Sequence, residues 1–202
     1  MQKRASIVLL AAGMSRRASG NKLLYPISKG SVTAIEKAIT TALESNVGPI
    51  IVVLGYEADK LALLLEKYLL AITITVNNQY TGGMSESVRT GVQKAFELHP
   101  ANPVMVIPAD CILITAEDIR KVAMAHSASI NKIAVASYKG RNGHPIIFNQ
   151  ELIPELLAIN EETYGLRAVI NRHEVFQVET GNPGVLKDFD TDEDFQDYRK
   201  TS

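Results

Sequence analysis

The sequence predicts an α/β fold in which helices cover a largely parallel β-sheet. Short runs of consecutive apolar residues alternate with segments of helical periodicity, in the order β-α-β-α-β-α-β-α, over roughly the first 130 residues. Such alternation is typical of βαβ units with right-handed crossovers. A length of 202 residues with 46% hydrophobic and 21% charged residues is ordinary for one globular domain. We therefore expect a single domain over residues 1–202.

The first four strands are predicted from short segments rich in apolar residues, and those at 7–12 and 50–54 are typical of strands buried on both faces. Each run is followed by a segment whose apolar residues recur at intervals of three and four, as on one face of a helix. This order places the carboxyl ends of the strands at one edge of the sheet, where open parallel sheets bind ligands. The strands are expected at residues 7–12, 50–54, 72–76 and 104–107, and the helices around residues 33–45, 61–69, 88–96 and 119–123.

Beyond residue 130 the pattern is less regular. Four more strands, a loop and two helices are expected there, the last helix being the charged C-terminal one. The strands are expected at residues 133–137, 145–148, 174–178 and 185–189, the loop at 139–144 between the first two of them, and the first helix at 151–159.

The charge balance excludes several classes of partner. Lys and Arg number 21 and Asp and Glu 22, and this net charge of −1 gives no electrostatic basis for binding nucleic acid or a membrane surface. No apolar run approaches the roughly 18 residues of a spanning helix, and residues 7–12 are better explained as a buried strand than as part of a signal peptide. The single cysteine suits a reducing compartment. We therefore expect a cytoplasmic protein in which Cys111 is a small buried apolar residue.

The loop after the first strand is the most informative segment. Small residues at 11–13 leave room for a ligand to approach the backbone, and Arg16, Arg17 and Lys22 place three cations in one loop of a nearly neutral protein. Arginine offers phosphate a planar fork of donors, and lysine a movable point charge. The sequence contains neither the Walker A spacing nor the Gly-x-Gly-x-x-Gly dinucleotide fingerprint, which disfavours a P-loop ATPase and a nicotinamide oxidoreductase. The position after the first strand counts against a merely solvated basic loop.

Residues 10–22 resemble the signature loop of the MobA/MocA-like nucleotidyltransferases of molybdenum cofactor biosynthesis. That family carries Leu-Ala-Ala-Gly-x-Ser-x-Arg, then Met-Gly, then a lysine, and Ser15, Arg17 and Lys22 match this pattern. The sequence departs from it at residues 18–20, where Ala-Ser-Gly replaces Met-Gly, so we expect a loop that is one residue longer. Ala-Ala-Gly followed by Asn-Lys is similar to the cytidylyl branch, whereas the guanylyl branch carries Ala-Gly-Gly and an Asp before the lysine.

Four further segments resemble the same family in the same order along the chain. They are Gly-Met-Ser-x-Ser-x-x-x-Gly at 83–91, Pro-Ala-Asp at 108–110 where the family has Asp-Met-Pro, Gly-His-Pro-x-x-Phe at 143–148, and the acidic run at 188–194. The resemblance covers nearly the whole chain. It implies a Rossmann-like nucleotidyltransferase fold (GT-A-like), built as a three-layer sandwich. It also implies a Mg²⁺-dependent enzyme that moves CMP from CTP to the phosphate of molybdopterin (molybdenum cofactor) and releases pyrophosphate.

Two carboxylates are the expected metal ligands. Asp110 follows the fourth strand, and a carboxylate there, facing a cationic loop, suits Mg²⁺ held jointly by protein and phosphates, with a turn or cap role as the alternative. Asp190 lies in an acidic run that the residues alone explain equally as a solvated face or a helix cap. The resemblance implies that Asp110 and Asp190 hold the metal, with Asp188 as the alternative to Asp190. It also implies that Lys22, Arg17 and Asp110 are catalytic.

The nucleotide and the acceptor are expected to contact further segments. Gly82, Gly83 and Ser85 precede a helix, so their free backbone amides predict an anion-binding nest, and Ser85 is also a good N-cap. The resemblance implies that His144 and Arg167 contact the acceptor, although a lone histidine is more often a packed loop residue. The nucleotide-binding residues that the resemblance implies are Leu10, Ala11, Ala12, Gly13, Ser15, Arg17, Lys22, Gly83, Ser85, Arg89 and Asp110.

The sequence leaves other functions open. A guanylyltransferase or a sugar- or alditol-phosphate nucleotidyltransferase would share the fold and the loop, and a non-catalytic molybdopterin carrier for a molybdenum hydroxylase is an alternative of another class. The presence of Lys22, Asp110 and Asp190 together favours catalysis. The expected partners are nucleotides and molybdopterin-type small molecules, with a molybdenum hydroxylase apoenzyme as the candidate protein partner.

Overall fold

The sheet is assembled from strands whose residues are mostly apolar and buried. A computed structural model describes residues 4–27 and 32–201, and in these residues the strands form one seven-stranded sheet. The strands are β1 (Ser6–Ala11), β2 (Ile50–Leu54), β3 (Ile72–Val76), β4 (Val104–Pro108), β5 (Ile133–Tyr138), β6 (Arg141–Phe148) and β7 (Val175–Glu179). Their order is β3-β2-β1-β4-β6-β5-β7, and every neighbouring pair is parallel except the two that contain β6. The predicted α/β fold with a mostly parallel sheet is confirmed.

The helices begin where the sequence supplies caps. Thr33 and Glu36 form a capping box at the start of the first long helix, and Thr115 and Asp118 form another. The helices in the described residues are α1 (Ala34–Ser45), α2 (Ala58–Leu65), α3 (Met84–Leu98), α4 (Ala116–Ala128), α5 (Ile153–Leu157), α6 (Leu166–Arg172) and α7 (Asp192–Thr201). None of these helices is long and apolar enough to cross a membrane.

Alternate residues of each central strand face two separate cores. In β1, Ile7 and Leu9 pack into one core with α1, α2, α4 and α7, whereas Val8 packs into the other with α3, α5 and α6. Ile7 lies opposite Ile50 of β2 and Met105 of β4, so the three strands present matching apolar faces. A sheet with helices on both faces is the expected three-layer sandwich, and the domain limits of 1–202 stay a prediction.

Three predicted elements of the C-terminal third are wrong in kind or extent. The expected loop at 139–144 is a tight turn followed by strand, because β6 already begins at Arg141. The expected strand at 185–189 starts inside a 3-10 turn, Pro183–Leu186, because Asn182 accepts a hydrogen bond from the Gly184 N–H. The helix expected at 151–159 is a 3-10 turn, Gln150–Leu152, followed by the short α5, and α6 was not predicted at all.

Candidate active site

A cleft of about 510 Å³ opens at the carboxyl edge of the sheet, beyond β1 and β4. Its walls are the loop after β1, the segment before α3, the end of β4 and the acidic segment before α7. The lining residues are Leu10, Ala12, Gly13, Met14, Ser15, Arg16, Arg17, Lys22, Leu23, Tyr80, Thr81, Gly82, Gly83, Met84, Ser87, Pro108, Asp110 and Asp190. Nine of the residues predicted for the site therefore lie around one cavity: Leu10, Ala12, Gly13, Ser15, Arg17, Lys22, Gly83, Asp110 and Asp190.

The loop after β1 folds back on itself so that Lys22 returns to the cleft. Ser15 adopts a left-handed backbone conformation (φ 50°), and its hydroxyl accepts a hydrogen bond from the Lys22 N–H at 3.1 Å. The buried Asn21 side chain accepts from the Leu23 N–H at 3.1 Å and donates to the Tyr56 carbonyl at 3.2 Å. These bonds fix the backbone on both sides of Lys22.

Lys22 is the centre of the site. Its Nζ lies 2.6 Å from Oδ2 of Asp110 and 2.8 Å from Oδ1 of Asp190, and only 9% of the residue is exposed. Burial by itself lowers the pKa of Lys22, but the carboxylates of Asp110 and Asp190 outweigh burial and raise that pKa above its usual value. The Lys22 side chain is therefore an ammonium ion throughout the physiological pH range.

A second cation and a third carboxylate complete this ion cluster. The Arg17 guanidinium, which is mostly exposed, lies 2.6 Å from Oδ2 of Asp190. Burial raises the pKa of Asp190, but Lys22 and Arg17 reverse that effect and leave the pKa below its usual value. Burial and the neighbouring Asp190 and Asp110 raise the pKa of Asp188, so the alternative ligand Asp188 lies close to the same cluster.

The acidic segment is tied to the loop after β1 by contacts that the sequence did not reveal. Asp192 Oδ1 accepts hydrogen bonds from the Ser19 N–H at 3.2 Å and from the Tyr25 hydroxyl at 2.9 Å. The Ser19 and Tyr25 hydroxyls are themselves 2.9 Å apart. Asp194 caps α7 by accepting from Thr191, as the cap interpretation of the acidic run predicted. Residues of this run thus serve both as cap and as cleft wall.

The predicted anion-binding nest before α3 is already occupied by a protein carboxylate. The Ser85 N–H donates to Oε1 of Glu161 at 2.6 Å. The N-cap is Gly83 (φ 106°), without a side-chain cap bond, and Ser85 is the second residue of the helix. The N-cap prediction for Ser85 is therefore wrong, because the chain turns two residues earlier than the sequence suggested. No motif in the sequence pointed to Glu161.

Four other predicted residues do not line the cleft. Ala11 is buried in β1, Ser85 is buried beside Glu161, and Arg167 is an exposed residue of α6. Arg89 lies 2.7 Å from Oε2 of Glu86. Arg89 and Glu86 help to line a second cavity of about 530 Å³. The loop after β1 lines the cleft, whereas Ser85 and Arg89 of α3 do not, and the binding roles of these residues stay predictions.

His144 and Cys111 lie close to Asp110 but outside the cleft lining. The Nδ1 atom of His144 is buried without a hydrogen-bond partner in the described residues, and burial lowers the pKa of the imidazole while Asp110 opposes that shift. The Cys111 Sγ is buried 3.9 Å from Oδ1 of Asp110, and burial raises the pKa of the thiol. A thiol with a raised pKa is a poor nucleophile, in agreement with an apolar packing role for Cys111.

The positions of the two carboxylates suit a divalent cation. One oxygen of Asp110 and one of Asp190 converge on a single nitrogen, so they also converge on the position that a small cation would take. Two carboxylates completed by phosphate oxygens and water are a typical ligand set of Mg²⁺. Within residues 4–27 and 32–201, no group of three or more His, Cys, Asp or Glu side chains is arranged to hold a metal. The donors therefore fit a metal that a phosphate-bearing substrate helps to hold.

Comparison with known proteins identifies the family. The chain is 27% identical over 202 residues to the purine catabolism protein PucB of Bacillus subtilis, covering 96% of this chain and 95% of that protein. The manganese complex of Rv0371C from Mycobacterium tuberculosis superposes with a TM-score of 0.79 at 20% identity, covering 98% of this chain and all of that one. A nucleotidyl transferase from Methanothermobacter superposes with a TM-score of 0.79 at 19% identity, covering 98% and 97% of the two chains. Residues 7–177 match the model of the MobA-like NTP transferase domain, so the chain belongs to that family and is a nucleotidyltransferase.

Proposed function

We propose that the protein transfers a CMP group from CTP to the phosphate of molybdopterin and releases pyrophosphate. The observation that carries this proposal is the convergence of Lys22, Asp110 and Asp190 in a cleft large enough for a nucleotide. Two carboxylates that can hold a divalent cation, next to the cations Lys22 and Arg17, can offset the repulsion between two anionic substrates.

The chemistry follows from the charges of the substrates. A phosphate oxygen of the acceptor forms a bond to the α-phosphorus of CTP, and the bond from that phosphorus to the β-phosphate oxygen breaks. Two unit charges about 4 Å apart repel by about 4 kcal/mol at an effective dielectric constant of 20, so several such pairs would prevent the approach. The acceptor phosphate is already ionised near neutral pH, so no general base is needed. Positioning and charge stabilisation supply most of the catalysis.

Each charged group of the cleft has a role in this proposal. Arg17 is exposed and free to swing from Asp190 to a phosphate, where its planar fork would bind two oxygens. The Lys22 backbone is held by Ser15, and the Lys22 side chain would turn from the two carboxylates to the phosphate next to the reacting centre when those carboxylates hold the metal. Asp110 and Asp190 would hold Mg²⁺, which when bound offsets the charge of the leaving pyrophosphate. The manganese bound by Rv0371C supports a divalent ion in this fold.

The direction of the nucleotide in the cleft follows from the two unlike walls. The first loop offers Arg16, Arg17 and Lys22, which suit the triphosphate. At the opposite wall the Ser85 N–H is taken by Glu161, a carboxylate that would repel phosphate, so the uncharged base and ribose belong there. The acceptor would approach near His144, which lies close to Asp110.

The choice of CTP rests on the resemblance of the first loop to the cytidylyl branch. In the structure the Asn21 side chain binds the backbone of Leu23 and of the distant Tyr56, so it supports the loop and does not contact the base. A release assay for pyrophosphate with CTP, GTP, ATP and UTP, each with molybdopterin or with a sugar phosphate, tests the choice. We expect release with CTP and molybdopterin; release only with another pair would favour a guanylyl- or sugar-phosphate transferase, and cofactor binding without release would favour a carrier.

The roles of the ion cluster are tested in the same assay. We expect Asp110→Asn to lower turnover at least about a hundredfold, because it removes a ligand of the Mg²⁺ that would offset negative charge in the transition state. Lys22→Ala should lower it by about 10- to 150-fold, since a charge-assisted hydrogen bond is worth about 1.5–3 kcal/mol. Asp59→Asn, an exposed acid of α2, is the matched control and should leave turnover unchanged. Near-normal turnover of a folded Asp110→Asn protein with Mg²⁺ present would refute the metal assignment.

A further inference from the structure

The connection between α5 and α6 is a compact loop that crosses the start of α3. The Gly165 N–H donates to the Asn160 carbonyl at 2.9 Å, and the Tyr164 N–H donates to the Glu161 carbonyl at 3.2 Å. The Asn160 side chain accepts from the Thr163 N–H at 2.9 Å. These bonds close residues 160–165 into a turn that holds Glu161 in place.

Both ends of this loop lie directly against the segment that forms one wall of the cleft. The side chain of Glu161 fills the space above Gly83, since a Cβ on Gly83 would lie 2.5–2.6 Å from its Cγ, Cδ and Oε1 atoms. A Cβ on Gly165 would lie 2.8 Å from the Ser85 hydroxyl. Gly83 (φ 106°) and Gly165 (φ 54°) have backbone conformations that favour glycine, so the chain is shaped for this close approach.

The Glu161 carboxylate supplies the hydrogen-bond acceptor that the start of α3 lacks. The first N–H groups of a helix have no partner within the helix, and Gly83 offers no side chain to accept from them. Glu161 Oε1 accepts from Ser85 at 2.6 Å and places a negative charge at the positive end of the helix dipole. Gly82, Gly83 and Met84, which line the cleft, are therefore held by a side chain that does not line it.

We propose that Glu161 is a positioning residue for the nucleotide, which fixes the Gly82–Ser85 wall against which base and ribose bind. This inference rests on the proposed function, because it needs a nucleotide in the cleft. In the proposed function the phosphates and the metal would bind at the other wall, where Lys22, Asp110 and Asp190 line the cleft. Loss of Glu161 should therefore weaken nucleotide binding and leave the rate of the chemical step nearly unchanged.

The test compares four variants by calorimetric titration with CTP and Mg²⁺ and by steady-state kinetics. Glu161→Ala removes the acceptor, Glu161→Gln keeps an oxygen at the same reach, and Glu161→Asp keeps the charge but draws the oxygen back. Glu162→Ala, at the adjacent exposed glutamate, controls for the loss of net charge. We expect Glu161→Ala and Glu161→Asp to raise Kd and KM about 3- to 10-fold with kcat within about twofold, because one hydrogen bond is lost. Glu161→Gln and Glu162→Ala should stay within about twofold of the parent protein.

Each outcome decides between the alternatives. A Kd for Glu161→Ala within twofold of the parent value overturns the inference, and so does an equal loss in Glu161→Gln or a loss confined to kcat. If circular dichroism shows that Glu161→Ala does not fold, the Kd values of Glu161→Asp and Glu161→Gln are compared instead, and equal values overturn the inference. Failure of the parent protein to bind CTP, with binding of another nucleoside triphosphate, would count against the proposed substrate only, and the four variants would then be compared with that nucleotide. Failure of the parent protein to bind any nucleoside triphosphate would contradict both proposals.

Discussion

Lys22 and Glu36 show two different uses of a charged side chain that is withdrawn from water. Lys22 is surrounded by carboxylates that are 88 and 168 residues away in sequence, and Asp190 is shared with the exposed Arg17. Glu36 accepts hydrogen bonds from the neighbouring Thr33 N–H and hydroxyl at 2.8 Å each, and it also pairs with Lys67, which is 31 residues away. The first arrangement can exchange its partners for a substrate, whereas the second only holds the start of α1.

The Glu36 cap should contribute stability that depends on pH. Burial raises the pKa of Glu36, but its bonds to Lys67 and Thr33 outweigh burial and lower the pKa below its usual value. A carboxyl with a lowered pKa stabilises the folded protein above its unfolded pKa, and that stability is lost as the pH falls through the folded pKa. We expect Glu36→Gln to lose about 1–2 kcal/mol of unfolding free energy at pH 7, the usual size of a lost cap interaction.

Urea unfolding between pH 3 and pH 7 checks this expectation. The difference in unfolding free energy between the parent protein and Glu36→Gln should begin to shrink as the pH falls below the unfolded glutamate pKa of about 4.3. It should continue to shrink until the pH has fallen through the lower pKa of the folded carboxyl. Glu44→Gln, at an exposed position of the same helix, should show no such dependence. A difference in unfolding free energy that stays constant between pH 3 and pH 7 would contradict the role of the Glu36 charge.

At the scale of single elements, the loop after β1 and helix α3 use glycine for opposite reasons. A Cβ on Gly91 of α3 would overlap the side chains of Val8 and Val53, so this glycine lets the helix approach the sheet closely. A Cβ on Gly13 would meet nothing within 4 Å, and Gly13 lines the cleft. The glycine of α3 therefore serves packing, and the glycine of the loop leaves room for a ligand.

Two alanine substitutions separate these roles. Gly91→Ala should lower the unfolding free energy by about 1–2 kcal/mol, because the destabilisation by overpacking is expected to exceed the stabilisation from the higher helix propensity of alanine. Gly13→Ala should change stability by less than about 0.5 kcal/mol and weaken nucleotide binding, because the added methyl group would occupy the wall of the cleft. Urea unfolding and nucleotide titration of both proteins provide the comparison. Normal nucleotide affinity in Gly13→Ala would place the ligand elsewhere.

On the scale of the whole molecule, the C-terminal segment forms one wall of the cleft that lies beyond the end of β1. Phe195 of α7 is fully buried and packs edge-on against Tyr25, with ring centroids 5.3 Å apart, and against Phe189 at the same separation. The Phe189 N–H donates to the Asp110 carbonyl at 3.2 Å. This aromatic cluster and that hydrogen bond bring Asp190 beside Lys22.

Loss of the aromatic cluster should therefore affect stability and activity together. We expect Phe195→Ala to lower the unfolding free energy by about 3–5 kcal/mol, as large aromatic truncations in a core do. Its activity should fall even at temperatures where the protein stays folded, because Asp190 loses its support. Phe176→Ala, at a half-exposed position of β7, is the control and should change stability by less than about 1 kcal/mol. Full activity of a folded Phe195→Ala protein would contradict this coupling.

The sequence alone determined the order of most elements, since apolar periodicity and caps are local properties of the chain. The strands expected at 50–54 and 72–76 have those limits in the structure, and the first loop, which was expected to bind the nucleotide, lines the cleft. The least regular part, after residue 130, was also where the expectations failed. There a strand was expected at 185–189, although Val185 lies inside the 3-10 turn Pro183–Leu186.

Only the tertiary structure decided how distant segments meet. It showed that Lys22 lies between both carboxylates, that Asp192 holds the first loop, and that Glu161 occupies the start of α3. It also showed that β6 enters the sheet antiparallel between β4 and β5. These arrangements depend on contacts between residues far apart in sequence, and no local pattern of residue types specifies which distant partner a side chain will reach.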